Sequence, residues 1–115
     1  MINATFVRDE ASRRILSFAI EGHAEYAKRG KDIVCAGVST VSIGTVNAIE
    51  KLAGFELSAT MKNGWLSSDI PILPDAEMDD RMQLLLESMV SMLETIATSY
   101  GKHVVIHERL QESCE

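Results

Sequence analysis

Residues 15–39, ILSFAIEGHAEYAKRGKDIVCAGVS, contain the change from strand to helix around which this chain is organised. Residues 15–21 are rich in apolar side chains and partly alternate, which predicts a strand that ends at Gly22. The charged segment 25–31 has neither a helical nor a strand period, so it predicts an exposed loop. The apolar run after Asp32 then predicts a helix with that residue as its N-cap.

This arrangement places a histidine and a cysteine at the two ends of one loop. His23 follows the strand, and Cys35 takes the third position of the helix. The positive end of the helix dipole favours a thiolate there and the Asp32 carboxylate opposes it, so the stronger cause of a thiolate would be His23 in its charged form. A thiolate with a nearby base is the reagent pair of a thiol hydrolase. We also expect backbone N–H groups at the helix start around Cys35 to be available to a developing oxyanion.

The strands outside this region are predicted as two hairpins. Residues 2–8 alternate between apolar and polar side chains and connect through the polar segment 9–12 to the strand that ends at Gly22. Asn63 and Gly64 form the strongest turn signal in the chain, because type I′ turns require positive φ at both central positions. This turn joins a strand over 57–62 to a strand over 65–70.

Two long helices separate and follow the second hairpin. Residues 33–52 contain many β-branched side chains, but about twenty residues without proline or a turn cluster favour a helix. This helix is apolar nearly all round until Asn47, so we expect much of it to be buried against the sheet or a partner chain. A second helix opens at Pro74 and Asp75 and closes at Gly101. Its apolar face comprises Met78, Met82, Leu85, Leu86, Met89, Leu93, Ile96, Ala97 and Tyr100.

A last short strand is expected at residues 104–106, followed by a polar tail that frays after Leu110. The resulting order, ββαββαβ, predicts an α+β fold: a two-layer sandwich with a mixed sheet of about five strands and two long helices on one face. With 115 residues and 46% hydrophobic content, the chain predicts a single domain over 1–115.

Composition limits the compartment and the partners. Seventeen acidic residues against eleven basic ones give a net charge of −6, which disfavours direct nucleic-acid binding and would attract a basic protein. We expect no membrane span, because no apolar run approaches about 18 uncharged residues. Two cysteines, Cys35 and Cys114, do not form a disulfide framework, so we expect a cytoplasmic protein with a reduced thiol and no cofactor.

The string Gly-His-Ala at 22–24, a loop, and Gly-x-Asp-Ile-Val-Cys-Ala-x-Val-Ser at 30–39 resemble the ribosomal-processing cysteine protease (Prp) family. The resemblance extends over the chain in length and element order, and residues 47–50 also match. It implies a homodimeric peptidase that removes a short N-terminal extension from a large-subunit ribosomal protein during ribosome assembly. Its substrate would be an extended peptide with aromatic residues just before the cut, and the loop would order around it.

Carried over residue by residue, the resemblance implies that Cys35 is the nucleophile and His23 the base. The other matching motif positions, expected to bind substrate or support the site, are Asp32, Ser39, Gly22 and Gly30. One departure is Gly37, where the family would more often have alanine, a change that weakens the helix start and leaves the chemistry untouched.

Two other functions compete with a protease. The same loop would serve a non-enzymatic, dimeric ribosome-associated module that captures a peptide. A metal site using Cys35 and His23 is disfavoured, because only two ligand types converge and the usual zinc spacing is absent. An isolated cysteine in an apolar helix is more often a core residue than a nucleophile, and the motif reverses that expectation.

The remaining polar side chains have simpler interpretations. The simplest role of Asp32 is that of an N-cap. Ser39, one turn beyond the cysteine, would have no role in the site if its hydroxyl only donates to a helix carbonyl. We expect no catalytic role for the surface histidines, for the tail thiol or for the solvated side chains of the loop. These residues are His103, His107, Cys114, Glu25, Lys28 and Arg29.

Overall fold

A computed structural model describes residues 1–28 and 30–113 and confirms the α+β fold with the order ββαββαβ. The helices are α1, Ile33–Ala53, and α2, Ala76–Ser99. The strands are β1, Ile2–Asp9; β2, Ile15–Gly22; β3, Thr60–Lys62; β4, Trp65–Asp69; and β5, Val104–Gln111.

The strands form one mixed sheet in the order β3-β4-β2-β1-β5. β1 pairs in parallel with β5, and the other neighbouring strands are antiparallel. In β1 the side chains of Ile2, Ala4 and Phe6 are buried while the intervening ones are half-buried, as alternation along a strand with one covered face requires. The first hairpin, β1–β2, is confirmed.

α2 contributes much of the buried side-chain volume. Asp75 caps its first turn by accepting the Met78 N–H, and acidic Glu77 and Asp79 lie at the positive end of its dipole. The helix packs against β2, β5 and α1. Its fully buried side chains are Met82, Leu86, Met89 and Leu93.

An ion pair fastens the start of α2 to the first hairpin. The Arg14 guanidinium donates to both carboxylate oxygens of Asp79, with both side chains largely buried. The hydrogen bond from Arg14 is the main reason why the pKa of the Asp79 carboxyl lies below its usual range, against the opposing effect of desolvation. The N–H of Leu73, in the segment before α2, also donates to this carboxylate.

α1 is less buried than its composition predicts. One face is buried, and elsewhere apolar side chains such as Ile33 and Leu52 are exposed within the protomer. Burial of that surface against a partner chain stays a prediction. α1 packs against α2, and this contact needs only one face of α1. The buried residues are Val34, Val38, Ser42, Thr45, Ile49 and Ala53.

The same helix corrects the reason that the sequence analysis gave for expecting no membrane span, while the expectation itself stays a prediction. α1 is long and apolar enough to span a membrane, because residues 33–49 carry no charged side chain. Length and composition are the whole of that evidence, and a core helix of a soluble protein passes the same test.

Two strands, β3 and β5, differ from the prediction by more than a residue at one end. β3 begins at Thr60 instead of residue 57, because Leu57 turns into the core soon after Gly54 ends α1 in the left-handed conformation. β5 extends to Gln111, beyond the predicted residues 104–106 and past Leu110, where we expected fraying to begin. The second half of β5 is exposed and has no apolar pattern that would predict a strand. Its backbone nevertheless pairs continuously with β1, and this pairing extends the strand to Gln111.

Candidate active site

The carboxylate of Asp32 organises the start of α1 and the loop before it. One oxygen accepts the N–H groups of Val34 and Cys35, each at 3.0 Å, which makes Asp32 the predicted N-cap. The other oxygen accepts the N–H groups of Tyr26 at 2.9 Å and Ala27 at 3.2 Å. A single side chain therefore joins the loop to the helix.

These bonds also determine the charge state of Asp32. Desolvation raises the pKa of its carboxyl, but the four backbone N–H donors together outweigh that effect and hold the pKa below its usual range. The carboxylate thus remains ionised at neutral pH, when it accepts all four bonds. Its charge-assisted hydrogen bonds are stronger than those of a neutral acceptor.

Cys35 lies at the predicted third position of α1 and is half-buried. Its Sγ accepts a hydrogen bond from the N–H of Ala24 at 3.3 Å, and Ala24 is itself only 1% exposed. The Val34 and Cys35 N–H groups, which we expected to be available to an oxyanion, are instead bonded to Asp32. Ala24 therefore supplies a backbone donor at the sulfur, from the loop and not from the helix.

His23 immediately follows β2 and is exposed. Its imidazole lies against Gly64 at the tip of the β3–β4 hairpin, since a Cβ built on Gly64 would lie 2.8 Å from Nε2. The hairpin tip is tied to the strand end, because the Gly22 N–H donates to the Gly64 carbonyl at 2.9 Å. The Asn63-Gly64 signal predicted the hairpin, but the expected type I′ turn is wrong, because Gly64 has positive φ and Asn63 does not. Nothing in the sequence indicated that the hairpin tip contacts His23.

A cleft of about 740 Å³ lies between the first half of α1 and the β3–β4 hairpin. This volume is within the range of pockets that enclose drug-sized ligands. The opposite wall includes Met61, Lys62 and Trp65, which the sequence analysis did not single out. All six predicted site residues line the cleft together: Gly22, His23, Gly30, Asp32, Cys35 and Ser39.

Gly22 has a steric requirement of its own. Its φ is +99°, and an added Cβ would collide with the carbonyl oxygen of Met1, so only glycine fits. Ser39 lies exposed on α1 one turn beyond Cys35, and Gly30 is an exposed loop residue. Glu25 and Lys28 are exposed, as expected for a solvated loop, and Glu25 also lines the cleft, where contact with a substrate is its alternative role.

His103 is the residue that sequence reasoning misjudged. It is half-buried, and its Nδ1 lies 2.9 Å from the carbonyl oxygen of Ala24, so it is not a surface residue remote from the site. Its ring also contacts the edge of Tyr26 at a centroid distance of 5.3 Å, and Tyr26 contacts Tyr100 in the same way. A contact between residues 79 positions apart leaves no local sequence signal.

The other expectations are simpler to place. His107 is exposed, with its Nε2 3.0 Å from the side-chain oxygen of Asn3. Arg29 and Cys114 lie outside the described residues. Within residues 1–28 and 30–113, no group of three or more His, Cys, Asp or Glu side chains is arranged to hold a metal ion.

Comparison with known proteins identifies the family. The family model described as cysteine protease Prp matches residues 1–105. The chain belongs to this family. Over 102 residues it is 44% identical to the ribosomal processing cysteine protease Prp of Bacillus subtilis strain 168, covering 87% of this chain and 90% of that protein.

Solved Prp structures share the fold. The crystal structure of the essential ribosomal processing protease Prp from S. aureus, with a covalently linked product peptide, has a TM-score of 0.86 and 27% identity over 95% of this chain and 100% of its own. A Streptococcus mutans protein has a TM-score of 0.81 and 33% identity over 96% of both chains. The predicted family and the prediction of a cysteine protease are confirmed, and the non-enzymatic alternative loses its support.

Replacing Asp32 by asparagine separates its two functions in this Prp family member. Asparagine keeps the oxygen that caps α1 but replaces the oxygen that holds Tyr26 and Ala27 with a donor. We expect Asp32→Asn, which keeps the cap but loses the charge and the two loop bonds, to lower the melting temperature slightly and to lose activity on the order of 10- to 100-fold, as misplaced site groups do. Asp32→Ala, which removes both sets of bonds, should lower both quantities. Equal activity of Asp32→Asn and wild type would contradict the loop-holding role.

Gly64→Ala tests the placement of His23. Gly64 and Gly54 both have positive φ, so alanine at either position costs about 1–2 kcal/mol of folding free energy. At Gly64 the new methyl group also displaces the His23 ring, whereas at Gly54 it meets the flexible end of Met78. We expect similar stability losses by thermal unfolding, with a strong loss of peptidase activity for Gly64→Ala alone. Equal activity of the two variants would show that the His23 position is unimportant.

Proposed function

We propose that this protease removes the N-terminal extension of a large-subunit ribosomal protein during ribosome assembly, with Cys35 as nucleophile and His23 as base. The observation that carries the proposal is that Cys35, whose Sγ accepts the buried Ala24 N–H, and His23 line one cleft that has room for a peptide. The names of the curated relatives, ribosomal processing proteases, support the substrate class.

The chemistry follows from these groups. His23 accepts the proton of the Cys35 thiol, and the thiolate attacks the carbonyl carbon of the scissile peptide bond. The imidazolium then gives its proton to the amine that leaves, and an acyl-thioester remains on Cys35. Water, deprotonated by His23, attacks the thioester and releases the carboxylate product, while the thiol regains its proton.

The supporting residues act through shape and polarity. Asp32 holds the loop and the helix start in one arrangement, and Gly22 permits the close approach of β1 to the strand end before His23. Ser39 lies along the cleft on the helix side and Gly30 on the loop side, where a bound peptide would contact them.

The cleft walls suit an extended peptide with large apolar side chains before the cut. Met61 and Trp65 are partly exposed in the hairpin wall, and Ile43 faces them from α1. Aromatic residues before the cleavage site would bury their rings against these side chains. The net charge of −6 would favour encounter with a basic ribosomal protein, and we propose no direct binding of nucleic acid.

We also propose that the protein is a cytoplasmic homodimer without a membrane partner. The apolar surface that α1 leaves exposed within the protomer, including Ile33 and Leu52, supports association with a second copy. We expect light scattering after size-exclusion chromatography at micromolar concentration to give twice the protomer mass. A protomer mass at every concentration would contradict the dimer, and recovery in the membrane fraction of lysed cells would contradict the location.

Cleavage of a ribosomal protein precursor tests the central proposal. The purified protein is incubated with a large-subunit precursor that carries its N-terminal extension, and the products are followed by mass. We expect wild type to remove the extension, Cys35→Ser to lose more than about 10⁴-fold in rate, and His23→Ala to lose on the order of 10²–10⁴-fold.

The outcomes separate the two parts of the proposal. A precursor left intact by folded, reduced wild-type enzyme would contradict the substrate, and a pull-down would then show whether the protein binds it. Cleavage that survives Cys35→Ser would contradict the nucleophile.

A further inference from the structure

Both backbone polar groups of Ala24 have a side-chain partner. The Ala24 N–H donates to Cys35 Sγ at 3.3 Å, and the Ala24 carbonyl lies 2.9 Å from Nδ1 of His103. A carbonyl oxygen only accepts hydrogen bonds, so Nδ1 of His103 carries the proton and donates it. Because Ala24 is 1% exposed, water cannot readily replace either partner.

His103 itself is held by backbone on two sides. Its N–H donates to the Tyr100 carbonyl and its carbonyl accepts the Ile2 N–H, both at 2.8 Å. Its ring stands nearly perpendicular to that of Tyr26, at an interplanar angle of 83°. The connection between α2 and β5 thus presents the imidazole to the loop from a fixed position.

We propose that His103 is a positioning residue of this protease. Its Nδ1–H holds Ala24 in the orientation in which the Ala24 N–H points at the Cys35 sulfur. This inference rests on the proposed assignment of Cys35 as nucleophile. A hydrogen bond from an N–H to an ionised sulfur is charge-assisted, so it favours the thiolate over the neutral thiol.

The loss of the imidazole has a specific consequence. The Ala24 carbonyl would become a buried acceptor without a partner, and the backbone would rotate to find another donor. The N–H and the carbonyl are joined through the Ala24 Cα, so a backbone shift at this residue would also move the N–H away from the sulfur. The thiolate would then lose stabilisation although the cleft walls formed by α1 and the β3–β4 hairpin stay in place, so turnover should fall and substrate binding should not.

The test compares three substitutions in a Cys114→Ser background, which leaves Cys35 as the only cysteine. His103→Leu removes the donor, and His103→Asn places an amide N–H near the position of Nδ1. His107→Leu is the matched control, because that exposed histidine lies on β5 and bonds Asn3. The measurements are kcat and KM on the precursor, the rate of Cys35 alkylation by iodoacetamide at neutral pH, and the melting temperature.

We expect His103→Leu to lose about tenfold in both kcat and alkylation rate, with KM nearly unchanged. His103→Asn should recover most of both rates, and His107→Leu should match the parent. Parental rates in His103→Leu would overturn the inference. Failure of His103→Asn to recover them would also overturn it, since ring packing against Tyr26 would then be the important contact.

If His103→Leu does not fold, His103→Gln replaces it, since the longer side chain moves the amide away from the Nδ1 position. The inference requires His103→Asn to exceed His103→Gln in both rates, and equal rates would overturn it. Failure of the proposed function has a different signature: the parent would not cleave the precursor, or Cys35→Ser would cleave it as the parent does.

Discussion

The Asp32 carboxylate is the interaction on which the site depends. One of its oxygens caps the N-terminus of α1, and the other accepts two N–H groups of the loop that follows His23. Because all four donors are backbone N–H groups, the bonds determine the path of the chain itself. Without these bonds, nothing at the start of α1 would fix the position of Ala24 relative to Cys35, to whose sulfur it donates.

Residues from distant parts of the chain contact His23 and the loop that follows it. β2 ends at the loop, the β3–β4 hairpin brings Gly64 against His23, and the connection before β5 brings His103 to Ala24. Each arrives at the end of a regular element that is anchored in the sheet or in α2. Loops carried on rigid elements in this way can present reactive side chains while the core remains closely packed.

The core and the cleft use the two helices differently. α2 is fixed by fully buried side chains, each contributing about 1.5–3 kcal/mol when removed from water, and by the ion pair between Arg14 and Asp79. α1 gives one face to α2 and part of another to the cleft, and it retains exposed apolar surface. The helix that carries the cysteine, α1, is therefore less buried than α2, as the cleft beside it requires.

The sequence by itself determined the element order, both helices, the Asp32 cap, the third-position cysteine and the family, since capping, periodicity, turn chemistry and motif spacing are local properties. Only the tertiary structure decided the strand order, the short β3, the long β5 and the contacts of His23 with Gly64 and of Ala24 with His103. Those features arise from pairing and packing between segments far apart in the chain. No local sequence pattern predicts such contacts, because the residues meet only after the chain has folded.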